Sequence, residues 1–153
     1  GLAALLSGAC ATTANTPSQS EVINERLDSQ IDVQVRGDIR HDVTDPQVAR
    51  LWQESEIMRR GGELDAAQER LQKAIAITPD DAVLWSRAAE IELDQNSFLR
   101  AENYAAKSNF LATLADRQLR YRNWLIIKRA REGRGDLLGA READLETSKL
   151  TAR

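Results

Sequence analysis

One spacing pattern occurs three times in the chain, and it restricts the possible folds more than any other feature. Each copy has an anchor residue, a turn-forming residue 11 positions later, an apolar residue two further on, and an Ala three after that. The anchors are Leu51, Trp85 and Trp124, the turn residues are Gly62, Asn96 and Gly135, the apolar residues are Leu64, Phe98 and Leu137, and the alanines are Ala67, Ala101 and Ala140. The first two anchors are 34 residues apart, which indicates stacked copies of one supersecondary unit.

Each copy is predicted to be a pair of helices. The chain is 42% hydrophobic and only 5% aromatic, with few runs of the β-branched residues that favour strands. Gly, Pro and Asn clusters separate the apolar periodic segments, and these short turns predict antiparallel neighbours. The predicted helices are 46–60, 64–77, 81–94, 98–113, 117–132 and 136–149. We therefore expect an all-α fold.

The repeated unit resembles the tetratricopeptide repeat (TPR). In that family a bulky anchor and a small residue in the first helix are followed by a Gly turn, then by Ala, a bulky residue and Ala in the second helix, with a closing Pro. Residues 48–81 match with Leu51, Ser55, Gly62, Ala67, Leu71, Ala74 and Pro79. The resemblance implies a short solenoid of about six helices in three repeats. The third repeat is degenerate, with Lys128 and Asp144 at the small and bulky positions, and is expected to act as a polar cap.

The TPR resemblance also implies a partner-binding groove lined by the first helices of the repeats. The positions that would face it are Trp52, Glu56, Arg59, Ser86, Glu90, Arg122, Leu125 and Arg129. Trp52 has two interpretations: a partly exposed binding hot spot, or a core residue if the register shifts by one. The Lys and Asn of the chaperone-type carboxylate clamp are absent, because Trp52 and Glu56 occupy their positions.

Catalysis, metal binding and nucleic-acid binding have little support in the sequence. One Cys and one His do not provide a zinc-type ligand set or a nucleophile–base pair, and His41 is predicted to be a solvated loop residue. A net charge of -3 argues against a dedicated nucleic-acid binder. Residues 117–134 form a basic helix, which is either a docking face for an acidic partner, anionic lipid or cell-wall carboxylates, or a solvated face. The expected protein is not an enzyme and needs no cofactor or small-molecule substrate.

The first ten residues, GLAALLSGAC, resemble the end of a bacterial lipoprotein signal peptide. Gly8 and Ala9 fill the small positions before the cysteine of the lipobox, although Ser7 stands where that family usually has Leu. The resemblance implies that Cys10 carries a lipid anchor. The family's sorting rules, applied to Ala11, imply the outer membrane. The predicted domains are a signal-peptide remnant at 1–9, a lipidated Cys and flexible tether at 10–45, and a TPR-like helical domain at 46–153.

A tethered lipoprotein with a very short TPR domain resembles, in layout, the LpoP-type activators of bifunctional penicillin-binding proteins. This resemblance implies that the domain binds and activates a peptidoglycan synthase, a class A penicillin-binding protein, across the periplasm. Two alternatives remain open. One is a pilotin or envelope-assembly scaffold of the type IV pilus kind, and the other is a soluble cytosolic TPR adaptor if the lipobox is false.

Overall fold

Seven α-helices account for most of residues 15–152, the part of the chain that this computed structural model describes. They are α1 (Gln19–Arg36), α2 (Pro46–Arg60), α3 (Leu64–Ile77), α4 (Ala82–Asp94), α5 (Phe98–Leu111), α6 (Arg117–Gly133) and α7 (Leu137–Thr151). Helices α2 to α7 form three pairs, and each pair packs against the next. The prediction of an all-α fold with TPR-like stacked pairs is confirmed.

The turns between the paired helices have the backbone conformation that their sequence predicts. Gly62 and Gly135 have φ values of 79° and 80°, and Asn96, the residue at the same offset in the second repeat, has φ 58°. Left-handed backbone favours Gly and, among other residues, Asn. Asp45 begins α2 by accepting hydrogen bonds from two free amides of the first turn, with Pro46 at the first helical position.

The small residues of the repeat lie where two helix backbones come close. Ala67 and Ser55 are fully buried, and the Ser55 hydroxyl donates to the Ala67 carbonyl at 3.0 Å. Ser108, at the second Ala position of the second repeat, donates in the same way to the Ala82 carbonyl at 2.7 Å. A larger side chain at these positions would separate the helices. The resulting core consists of two apolar clusters, and Tyr104 packs against both.

The third repeat departs from the family pattern, and an ion pair accounts for the departure. Lys128 and Asp144, at the positions where small and bulky residues are usual, form a salt bridge of 2.7 Å between α6 and α7. Polar side chains are tolerated here because the Asp144 side chain is exposed and that of Lys128 is partly so.

Part of the segment predicted to be a flexible tether is a helix, α1. The sequence interpretation placed a flexible segment at 10–45, but residues 19–36 are helical and residues 35–43 contact the repeat domain. Ser18 and Glu21 form a capping box that starts this helix. Its 18 residues extend about 27 Å at roughly 1.5 Å per residue, so this part of the connection is a rod. Cys10 and the signal-peptide remnant 1–9 lie outside the described residues.

Candidate functional site

The first helices of the three repeats, α2, α4 and α6, line the groove predicted from the sequence, and the chain itself occupies that groove. We call residues 35–43, which comprise the end of α1 and the link to α2, the strap. Val35 is 1% exposed and packs in the same apolar cluster as Leu125 of α6. The groove of the described structure is therefore closed by a segment of its own chain.

Three arginines, one from each lining helix, hold the strap through its backbone. Arg122 donates from Nε and Nη2 to the Val35 carbonyl at 3.1 and 2.6 Å. Arg59 donates to the carbonyl of residue 36 at 3.4 Å, and Arg87 donates to that of residue 37 at 2.9 Å. The last carbonyls of an α-helix have no partner within the helix. The three guanidinium groups thus provide donors for consecutive carbonyls at the end of α1.

Two buried carboxylates hold the arginines in place. Glu90 is 0% exposed and bonds to the guanidinium groups of Arg87 and Arg122, with Arg59 at 3.3 Å. Glu56 lies 3.1 Å from Arg59 and 2.8 Å from Arg87. We call these five side chains the arginine cluster. A buried charge is tolerated only when it is paired and hydrogen-bonded, and each of the five is.

Burial shifts the pKa values of Glu90 and Arg122 in this cluster. It raises the pKa of Glu90, and the positive charges of Arg122, Arg87 and Arg59 oppose that rise. Burial also lowers the pKa of Arg122 to about 9, with Glu90 acting in the opposite direction. Arg122 is therefore still a cation at neutral pH and can hold the end of α1.

His41 holds the other end of the strap. The prediction that it is a solvated loop residue is wrong. Its side chain is only 3% exposed, and Nε2 lies 2.6 Å from the Asp81 carboxylate. Its ring contacts Trp52 edge to face with the centroids 4.5 Å apart. Burial raises the pKa of Asp81, but the hydrogen bond and charge of His41, with the amides of Leu84 and Val83, outweigh it and lower that pKa overall. Asp81 also caps α4, so one carboxylate joins the strap to the start of a repeat.

The residues proposed to contact a partner do come together, but most of them contact the strap or the core. Ser86 and Glu90 are fully buried, and Glu56, Arg122 and Leu125 nearly so. Their contact with a partner remains a prediction, and in this structure the strap lies in the way. Trp52 is half-buried, so it has features of both a core residue and an exposed binding residue. It packs at the edge of the core, and it lines a cavity of about 340 Å³ with Ile39 and Ile57.

Arg87 belongs to this site, and the sequence interpretation missed it. It is 0% exposed, and its guanidinium group also lies over the Trp52 ring, 5.8 Å from the centroid. A signal was present in the sequence, because Arg87 and Glu90 are three residues apart in a predicted helix and can therefore pair. The last predicted residue, Arg129, lies beside the end of α1 in a cavity that Val35 also lines, and it pairs with Glu132 at 3.4 Å.

The basic helix is neither a bare docking face nor simply a solvated one. Several of its cations bind acceptors within the repeat domain. The pairs are Arg117 with the Leu150 carbonyl, Arg120 with the Asn109 carbonyl, Lys128 with Asp144, and both Arg131 and Arg134 with Glu102. These contacts stabilise the packing of α6 against α5 and α7. Much of the positive charge in this part of the sequence is thus engaged by acceptors on neighbouring helices.

Among residues 15–152, no group of His, Cys, Asp and Glu side chains is arranged to hold a metal ion. Within that same range, no helix combines the length and the apolar character required to cross a bilayer.

Comparison with known proteins finds a similar solved structure. The globular C-terminal domain of LpoP from P. aeruginosa aligns with a TM-score of 0.63 and 25% sequence identity. The alignment covers 72% of this chain and 100% of that domain. No protein-family model matches the chain, and no curated protein does. The resemblance to LpoP in layout, predicted from the repeat and the segment before it, is thereby confirmed.

Proposed function

We propose that this protein is a non-catalytic envelope lipoprotein whose TPR-like domain binds and activates a bifunctional peptidoglycan synthase. The likeness to the whole globular domain of LpoP is the observation that carries the proposal. LpoP-type lipoproteins, which the sequence resembles in layout, act on class A penicillin-binding proteins. The partner proposed for this chain is therefore a synthase of that class.

The chemistry of the groove agrees with a binding role. Its polar groups are engaged in a structural cluster, and His41 is held against Asp81 and Trp52. The surface offered to a partner is the part of the groove that the strap leaves open. It is centred on Trp52 and the exposed Ile57, with Arg60 at its edge. An aromatic side chain beside an apolar one, bordered by charge, is typical of a protein-binding hot spot.

We expect Trp52→Ala to reduce synthase stimulation by about tenfold, which corresponds to a hot-spot loss of roughly 1.4 kcal/mol. The measurement is glycan polymerisation by the organism's purified class A synthase, with the chain added as a Cys10→Ser variant to prevent lipidation. Phe110→Ala is the matched control, because Phe110 is 82% exposed on the second helix of its pair. Arg129→Glu should also weaken stimulation. If the unmodified domain neither binds nor stimulates any class A synthase, the proposed activator function is wrong.

The proposed lipid anchor requires its own test. We expect metabolic labelling with palmitate to mark the wild-type protein, and we expect the label to disappear in Cys10→Ser, because the thiol is the acceptor that the lipobox predicts. Separating the outer and inner membranes should place the labelled protein in the outer membrane. Label that persists in the Cys10→Ser protein, or that never appears in the wild type, would exclude the anchor while leaving the binding role untouched.

A further inference from the structure

The arginine cluster binds the end of α1 through backbone carbonyl groups, which are present at the end of every helix. All four hydrogen bonds from Arg59, Arg87 and Arg122 to the strap end on backbone carbonyl oxygens, and none ends on a side chain. Within residues 35–37, only the Val35 side chain is buried in the core. Recognition therefore depends on the geometry of a helix C-terminus, with one apolar side chain two residues before its final Gly.

The charge of the cluster suits such a ligand. Three guanidinium groups face two carboxylates, which leaves one positive charge in a buried setting. The C-terminus of a helix carries a partial negative charge of about half a unit. Glu56 and Glu90 position the arginines from α2 and α4 without help from the strap, so the donors stay oriented when the strap leaves.

Few side chains of the strap are buried in the core. Beyond Val35 and His41, Val43 packs at the edge of an apolar cluster, and the side chains of Asp38, Arg40 and Asp42 are 77 to 87% exposed. The other side-chain contacts are surface ion pairs, between Arg36 and Asp94 at 2.6 Å and between Asp38 and Arg60 at 2.9 Å, and exposed pairs of this kind are weak. The first turns of α1 expose Val22 and Ile23 to solvent. A segment held by so few buried side chains is suited to exchange with a competing ligand.

We propose that the arginine cluster is a receptor for the C-terminal end of a helix in a partner protein, and that the strap is the resident occupant that this helix replaces. The ligand is a helix end with a small apolar residue followed two positions later by Gly. The inference relies on the proposed function only for the identity of the partner. The test below contains no synthase, so its failure and a failure of activation are distinguishable.

Gly37 provides a way to release the strap without altering the receptor. A Cβ atom added at Gly37 would lie 2.4 Å from the Val33 carbonyl oxygen, a backbone atom that cannot move away cheaply. Gly61 follows α2 in the equivalent place, yet a Cβ there meets its nearest carbonyl oxygens at 3.5 Å, an ordinary contact. Gly37→Ala is therefore the releasing variant, and Gly61→Ala is its matched control. Val35→Asp, which places a charge in the apolar cluster, is a second releasing variant.

The experiment measures binding of two fluorescent helical peptides to the whole chain carrying Cys10→Ser. One peptide has the sequence of residues 19–37, and the other is an Ala-rich helix that keeps only the Val and Gly of positions 35 and 37. A closed groove weakens the apparent affinity in proportion to the open fraction, so we expect both peptides to bind the released variants at least about tenfold more tightly than wild type. Gly61→Ala should match wild type.

Hydrogen exchange of residues 38–43 shows whether each variant has released the strap. If both variants release it and neither peptide binds more tightly, the receptor does not exist. If only the peptide of this chain's own sequence binds, or if the released variants dimerise, the groove is specific for this strap and the partner helix is excluded. If neither variant releases the strap, the segment is a fixed part of the core, which likewise overturns the proposal.

Discussion

Replacing Glu90 with Gln should lower the free energy of unfolding by about 3–5 kcal/mol, the usual cost of removing one partner from a buried ion pair. Glu90 is 0% exposed and bonds to two guanidinium groups, with a third at 3.3 Å. The substitution keeps the shape of the side chain but removes its negative charge. The three buried arginines of the cluster then have Glu56 as their one remaining carboxylate within the cluster. Urea denaturation of the two proteins measures the difference.

Glu69→Gln is the matched control, because it makes the same chemical change at the surface. Glu69 pairs with Lys73 at 2.8 Å, and both side chains are more than half exposed. Exposed pairs of this kind contribute little to stability, because water and salt screen them, so Glu69→Gln should leave the urea midpoint nearly unchanged. If the two substitutions destabilise the protein equally, the arginine cluster does not have the energetic role that its burial implies.

Leu71→Ala should cost about 2–5 kcal/mol, because it removes a fully buried side chain and leaves a cavity that the neighbouring helices only partly fill. Leu71 is on α3, at the bulky position of the first repeat. It belongs to the apolar cluster that α2, α3 and α4 form together. Thermal and urea denaturation should both show the loss. Leu99→Ala, at a site 60% exposed on α5, should change stability by less than about 0.5 kcal/mol. A loss at Leu71 as small as that at Leu99 would contradict the repeat register.

Helix α1 changes how the protein would reach a distant partner. As a flexible coil, the 34 residues between Cys10 and Asp45 would have an average span of about 30–35 Å. With α1 as a rod and the strap bound in the groove, the end of α1 is attached to the repeat domain. Exchange of the strap for a partner helix would free α1 from the groove at the moment of binding, which links the reach of the protein to the occupancy of its groove.

Much of the fold was predictable from the sequence because the repeat is a local pattern. The turn residues Gly62, Asn96 and Gly135 mark the only left-handed backbone positions among residues 15–152. Helix boundaries followed from capping residues and turns, so α2 and α3 have the predicted limits. Helix α1 was not predicted, because the apolar periodicity of residues 19–36 is weak. The Ser18 and Glu21 capping box was the local signal that could have revealed it.

The sequence alone thus determined the repeat and its turns, because these depend on residues within about 34 positions of one another. Only the tertiary structure decided what fills the groove. The contact between Arg122 and the Val35 carbonyl joins residues 87 positions apart, and His41 meets Asp81 across 40. Every residue has a backbone carbonyl, so the sequence does not indicate which carbonyls accept a hydrogen bond from an arginine. Whether an arginine is buried or solvated depends on the residues that the fold brings next to it.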